Sequence, residues 1–297
     1  MLTWAGKGVR SALIVVPASG AATLDGQVAD RLRGLGLEVT TISQAALTAT
    51  AVLARTLVVV MPGVDGATVK PSLLTAHAPV LVLEPTALDD LGMVGTVANT
   101  DFGTAANANE IAVTQPTHPL AAGLSGLAWV YSSAGSLGWG KPAATATTVA
   151  TVVGQSTQST ILGYLTGTQM VGQVATARRA GLFMTRTVGD GVSSVGWQFF
   201  DAAVKWLATP EVLLIVADST ALNASDTAIK ALLEMPEARH SMLLSDARET
   251  SPLPANAPLP HRSVGPPDLD LRQVPRASEG RGHQLESSSN LGSSWHP

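Results

Sequence analysis

Residues 56–83 read TLVVVMPGVDGATVKPSLLTAHAPVLVL. Two aliphatic, largely β-branched runs, Thr56–Met61 and Pro79–Leu83, enclose a short helical segment over Thr68–Thr75. Neither run alternates with polar residues. That predicts strands covered on both faces, the condition of a parallel sheet between layers of helix.

The same order extends outward on both sides. Ala12–Val16 reads as a buried strand, Leu24–Leu35 as a helix with Val28, Leu32 and Leu35 on one face, and Leu37–Ile42 as the next strand. Short helices are expected at Gln44–Ala54 and Thr86–Leu91. Strand-helix alternation of this kind predicts an α/β fold with an open, mostly parallel, doubly wound sheet. Beyond residue 120 the rhythm changes to short strands at Ala128–Ser132, Thr147–Val153, Thr160–Leu165, Gln169–Gln173 and Ala180–Met184, separated by Gly, Pro and Ser turns. They predict an antiparallel extension on one edge. A helix over Val195–Leu207 closes the unit, with Trp197, Phe200, Val204 and Leu207 on its core face.

Composition excludes several function classes. The 297 residues are 45% hydrophobic and 13% charged, with net charge −4, and no basic stripe suited to nucleic acid occurs. No run approaches the ~18 apolar residues of a membrane span. The apolar run from Ala12 stops at Pro17, too short for a signal-peptide core. The chain is therefore expected to stay in the cytoplasm or to be a piece of a longer exported protein. Cysteine is absent, which removes disulfides, thiolate metal sites and cysteine nucleophiles.

Three segments are expected. Residues 1–209 form the α/β domain. Residues 213–234, LLIVADSTALNASDTAIKALLE, align with residues 13–33. Leu13/Leu213, Val16/Val216, Ser19/Ser219 and Ala21/Ala221 match at an offset of 200, and Asp25/Asp226 and Leu32/Leu233 match after one insertion. Residues 210–235 thus read as the first strand and helix of an incomplete second repeat, the start of a truncated or frame-shifted array. The 62 residues from Pro236 to Pro297 carry 9 of the 18 prolines and 4 of the 6 histidines without sustained periodicity, and read as disordered.

With these elements in place, PVLVLEPTALDDLGM (79–93), THPLAAGLSG (117–126), VYSSAGSLGWG (130–140) and ARRAGLFMT…GWQFFDAAVKWL (177–207) resemble a bacterial branch of the class I glutamine amidotransferase-like fold. Within that fold they look like the ThuA-like (trehalose-utilisation-type) domains. The resemblance covers about residues 10–208, and again 212–234, and implies a module of large exported proteins, often in tandem and beside immunoglobulin-like or carbohydrate-active domains. The amidotransferase reaction needs a cysteine on a strand-to-helix elbow, and here the elbow after Leu83 carries Glu84-Pro85. Without cysteine that reaction is excluded. Pro85 also withholds an N–H that could have served an oxyanion.

Ligands of open α/β sheets bind at the carboxyl ends of the strands, which selects Ser19, Asp65 and Glu84. Glu84 is read as a general acid/base or sugar-hydroxyl acceptor, or else as a structural carboxylate bonded to loop amides. His118 either pairs with Glu84, joins Asp89, Asp90 or Asp101 at a metal, or fixes its own loop; its spacing matches no metal motif. Trp139, between Gly138 and Gly140, stacks on a sugar or packs in the core, and Asp101 is a further ligand-binding candidate. No phosphate loop, dinucleotide fingerprint or G-x-S-x-G elbow occurs, so no cofactor and no metal are expected. The reading that follows is a non-catalytic binding or spacer module, its partners a neutral carbohydrate or neighbouring domains. The alternatives are an enzyme acting on a sugar through Glu84 and His118, and an assembly module that self-associates through residues 212–234.

Overall fold

The aliphatic runs become the centre of an eleven-stranded sheet. A computed structural model describes residues 10–18, 22–186, 191–209, 211–216, 220–233 and 241–246. The first strands are β1 (Ser11–Val16), β2 (Glu38–Ser43), β3 (Leu57–Val60) and β4 (Val80–Val82). They stand in the order β2-β1-β3-β4, all parallel, and every residue of β3 and β4 is buried. The helices between them are α1 (Thr23–Gly34), the single turn α2 (Ala49–Val52) and α3 (Gly66–Leu73), and the single turn α4 (Ala87–Asp90) follows β4.

The antiparallel extension comprises β5 (Phe102–Ala108), β6 (Glu110–Val113), β7 (Gly126–Trp129), β8 (Gly135–Gly140), β9 (Thr147–Val152) and β10 (Gln155–Tyr164). The strand that joins the halves is β11 (Arg179–Leu182), parallel to β4 and antiparallel to β10. From there the order runs β10-β9-β6-β7, while β8 pairs with β10 and β5. α5 (Ser194–Ala208) then packs Phe199, Phe200, Ala203, Val204 and Leu207 onto the sheet. Trp197 stays half-buried at its margin, edge-on to Phe200 and beneath the Arg31 guanidinium. Arg31 meets Asp201 through two bonds of 2.7 Å, which ties α1 to α5 on one face.

The doubly wound parallel sheet and its antiparallel extension are as expected; several local elements differ. Gln44–Ala54 is a 3-10 turn at Gln44–Ala46 followed by α2, because Thr48 caps a new start by accepting from Ala51. Gln169–Gln173 makes only an isolated bridge from Gln169 to Val174. β5 and β8, FGTAANA and GSLGWG, have too little apolar alternation to read as strands. They form because small residues let them approach, with Gly103 lying against the Trp139 indole.

After α5 come β12 (Glu211–Val216), α6 (Ala224–Leu233) and β13 (Ser241–Asp246). β12 and β13 form a separate parallel pair. β13 lies within the stretch 236–297 read as disordered; the rest of that stretch lies outside the described residues. No described helix is long and apolar enough to cross a membrane.

Candidate functional site

At the carboxyl ends of the parallel strands the chain turns sharply. After β3, Met61-Pro62-Gly63-Val64 closes with Val64 N–H donating to the Met61 carbonyl at 3.2 Å, and Gly63 holds φ +87. Proline second and a left-handed glycine third define a type II turn. The turn aims the Gly63 N–H at the end of β4, where it donates to Glu84 Oε2 at 2.5 Å.

The other oxygen of Glu84 is equally engaged. Oε1 accepts from the Thr86 main-chain N–H at 3.0 Å and the Thr86 hydroxyl at 2.7 Å. The carboxylate therefore caps the start of α4 while bolting down the turn after β3. Pro85, next to it, packs so tightly on β8 that a Cβ on Gly138 would lie 2.7 Å from its ring. Arg186, four residues beyond β11, lies over Gly63 and donates to the Pro62 carbonyl at 3.3 Å. Three strand ends are thus linked by side chains that bond main chain.

The remaining rim residues are committed locally. Asp65 caps α3, accepting from Ala67 N–H at 3.2 Å and the Thr68 hydroxyl at 2.6 Å, while its own N–H donates to Gln44 Oε1 at 2.8 Å. Asp90 sits 3.7 Å from Lys70 and fills the space beside Gly66. Asp89 has one carboxylate oxygen buried without a hydrogen-bond partner, and burial raises its carboxyl above the ordinary range. Asp101 accepts from Val97 N–H at 3.0 Å and closes the loop before β5. Ser19 lies outside the described residues.

His118 is elsewhere. Its Nδ1 accepts from Leu120 N–H at 3.1 Å, capping the 3-10 turn Pro119–Ala121, and its ring tilts against Trp206 at 5.9 Å. Trp206 in turn lies under the Arg178 guanidinium at 4.9 Å. The Arg178 carbonyl accepts from Val80 at the amino end of β4, whereas Glu84 follows the carboxyl end of that strand. The structure thus sets Glu84 and His118 at opposite ends of the sheet and does not bring them together. Burial, with the positive charge of Arg178, lowers the His118 pKa. Among the described residues no three His, Asp or Glu side chains converge as a metal site would require.

Trp139 is 5% exposed and faces Gly103, so its indole is a core element and presents no stacking surface. The exposed indole belongs to Trp129, 64% exposed on β7 beside Leu127 at 58%. Trp129 and Leu127 share one side of the strand because residues two apart point the same way. Sequence alone carries no such signal: the alternation of GLAW would set the large Leu127 and Trp129 inward, yet only Ala128 is buried.

Two open grooves lie along α5. A groove of 690 Å³ is lined by Pro119, Leu165, Arg178, Asp201, Lys205 and Trp206. A second, of 560 Å³, separates α1 from α5 at Gln27, Arg31, Trp197 and Asp201. Neither touches Glu84.

No protein-family model matches the chain, and no curated protein sequence matches it either. Among solved structures it is similar to a putative GMP synthase subunit protein from Thermoplasma acidophilum, at 12% identity over 67% of this chain and 94% of that one, with a TM-score of 0.45. It is also similar to a glutamine amidotransferase from Thermotoga maritima, at 12% identity, 59% and 75% coverage and a TM-score of 0.37. A third is PurLQS from Thermotoga maritima, at 12% identity, 67% and 100% coverage and a TM-score of 0.41.

Proposed function

We propose that residues 10–208 are a non-catalytic binding or spacer module of the ThuA-like branch, built into a larger exported protein with a carbohydrate-related role. One observation carries the non-catalytic part. The only carboxylate at the strand-to-helix elbow, Glu84, is spent on three hydrogen bonds, two from main-chain N–H groups and one from a hydroxyl. A general acid or base must exchange a proton with substrate, and three of the roughly four acceptor positions of this carboxylate are held by the protein's own donors. Two further facts favour a neutral ligand over a phosphorylated one. Residues 1–210 balance 11 basic against 11 acidic side chains, and the exposed aromatic ring of Trp129 offers a face for a sugar.

The test uses the full chain and its Glu84→Gln and Trp129→Ala variants on a glycan array and on a panel of chromogenic glycosides and esters. The expected result is no turnover by any of the three. Any glycan bound by wild type and by Glu84→Gln should be lost in Trp129→Ala. Turnover by wild type that Glu84→Gln abolishes would overturn the reading.

A further inference from the structure

The segment from Glu211 to Asp246 rebuilds the opening of the domain. β12 follows β1 at an offset of 200, α6 follows α1, and β13 pairs with β12 in parallel register as β2 does with β1. One neighbour is absent among the described residues. β1 has a neighbour on each side, β2 and β3, whereas among the described residues β12 pairs with β13 alone. In β1 the carbonyls of Ser11 and Val15 accept from Thr56 and Met61, on the β3 side. By the two-residue alternation of a strand, Leu13 faces that side too. The counterparts Glu211, Leu213 and Ile215 therefore turn their main-chain groups toward the open edge of β12. The helix is bare as well: Val28 of α1 is 0% exposed, and its counterpart Ile229 in α6 is 44% exposed.

We propose that this edge pairs with the same edge of a second copy of the chain, antiparallel, about a two-fold axis at Leu213. One argument favours a second copy over the residues that follow, and another sets its direction. Residues 247–297 contain no two adjacent aliphatic residues, so this stretch holds no counterpart of Leu57–Val60. Charge then fixes the direction. Antiparallel pairing sets Glu211 opposite Ile215 of the second copy, whereas parallel pairing would set Glu211 against Glu211. The product is a closed, isologous contact that turns two lone strand pairs into a four-stranded sheet, past the size at which a sheet holds together in water. It stands independently of what the first domain binds.

Sedimentation of the full chain over a range of concentrations tests the proposal. Wild type should pass reversibly from monomer to dimer, and Leu213→Pro, which removes the N–H at the axis, should stay monomeric with the unfolding transition of residues 10–208 unchanged. The chain has no cysteine, so a single introduced thiol reports unambiguously. Leu213→Cys should oxidise to a covalent dimer, because facing residues of a hydrogen-bonded antiparallel pair stand about 5.5 Å apart, within disulfide reach. Ala228→Cys, on the exposed surface of α6, should not. A wild type that is monomeric throughout, a dimeric Leu213→Pro, or equal cross-linking of the two cysteine variants would each overturn the proposal.

Discussion

Gly63 donates its main-chain N–H to the carboxylate of Glu84 at 2.5 Å, so the turn leaving β3 is fastened to the end of β4. The contact sits where an α/β sheet ordinarily exposes its chemistry. Glu84→Gln keeps an acceptor oxygen but surrenders the charge and one set of bonds. It should destabilise the domain by about 1–2 kcal/mol, read as a lower urea midpoint at unchanged slope.

Gly63 should tolerate no side chain. Its φ of +87 is left-handed, and an added Cβ would lie 2.7 Å from the Arg186 guanidinium. Gly63→Ala is expected to cost about 1–3 kcal/mol. Gly26, inside α1 with nothing within 4 Å of its missing Cβ, is the opposite case. Gly26→Ala should raise stability by about 0.5–1 kcal/mol. Equal effects of the two substitutions in thermal unfolding would contradict this account.

Both tyrosines of the chain report on alkaline unfolding. Tyr164 donates to the Met93 carbonyl at 2.6 Å and accepts from Ala143 N–H at 2.9 Å; burial pushes its pKa up to about 12 from 10.0. Tyr131 donates to the Phe183 carbonyl at 3.0 Å, and burial raises it too. Both are raised on folding, so the unfolded chain releases these protons first. Their contribution is complete below pH 10 and is lost as pH rises from there through about 12. The tyrosinate absorbance of the native protein should therefore rise together with the loss of its circular dichroism, and not ahead of it.

His118 governs the acid side. Burial and the Arg178 charge hold its pKa below the ordinary 6.5, and its Nδ1 must remain unprotonated to cap Leu120. The unfolded chain takes up a proton more readily, so stability should rise with pH through the region just below 6.5 and fall as pH drops through it. His118→Asn supplies a capping acceptor that does not titrate. It should flatten the difference between urea midpoints taken at about pH 5 and about pH 8.

The parallel core was legible because Thr56–Met61 and Pro79–Leu83 are apolar without alternation, and only burial on two faces accommodates such runs. The use of Glu84 as a lock was one of the two readings its position allowed, and Pro62-Gly63 supplied the turn that decides between them. What escaped the sequence was set by distant partners. Trp139, between two glycines, left stacking and core packing both open; what decides for the core is that those glycines admit Pro85 and Val94 and that Gly103 on the paired strand receives the indole. His118 and Glu84 are 34 positions apart with nothing between them to show that the sheet's full height separates them. The two arginines before and in β11 gave no sign of their setting. Arg179 is 1% exposed and bonds the carbonyls of Ala76 and Ala78, without a carboxylate.

β11 is the last sheet strand in sequence before α5, yet it stands in the middle, between β4 and β10. A ribosome must therefore deliver residues through Leu182 before either half of the sheet has its neighbour. Until then β4 and β10 both present unpaired edges, and the nascent chain carries two half-sheets with no seam. Assembly of this domain waits on its C-terminal fifth, so a polypeptide released before β11 would have no route to the native core and would offer those edges to other chains.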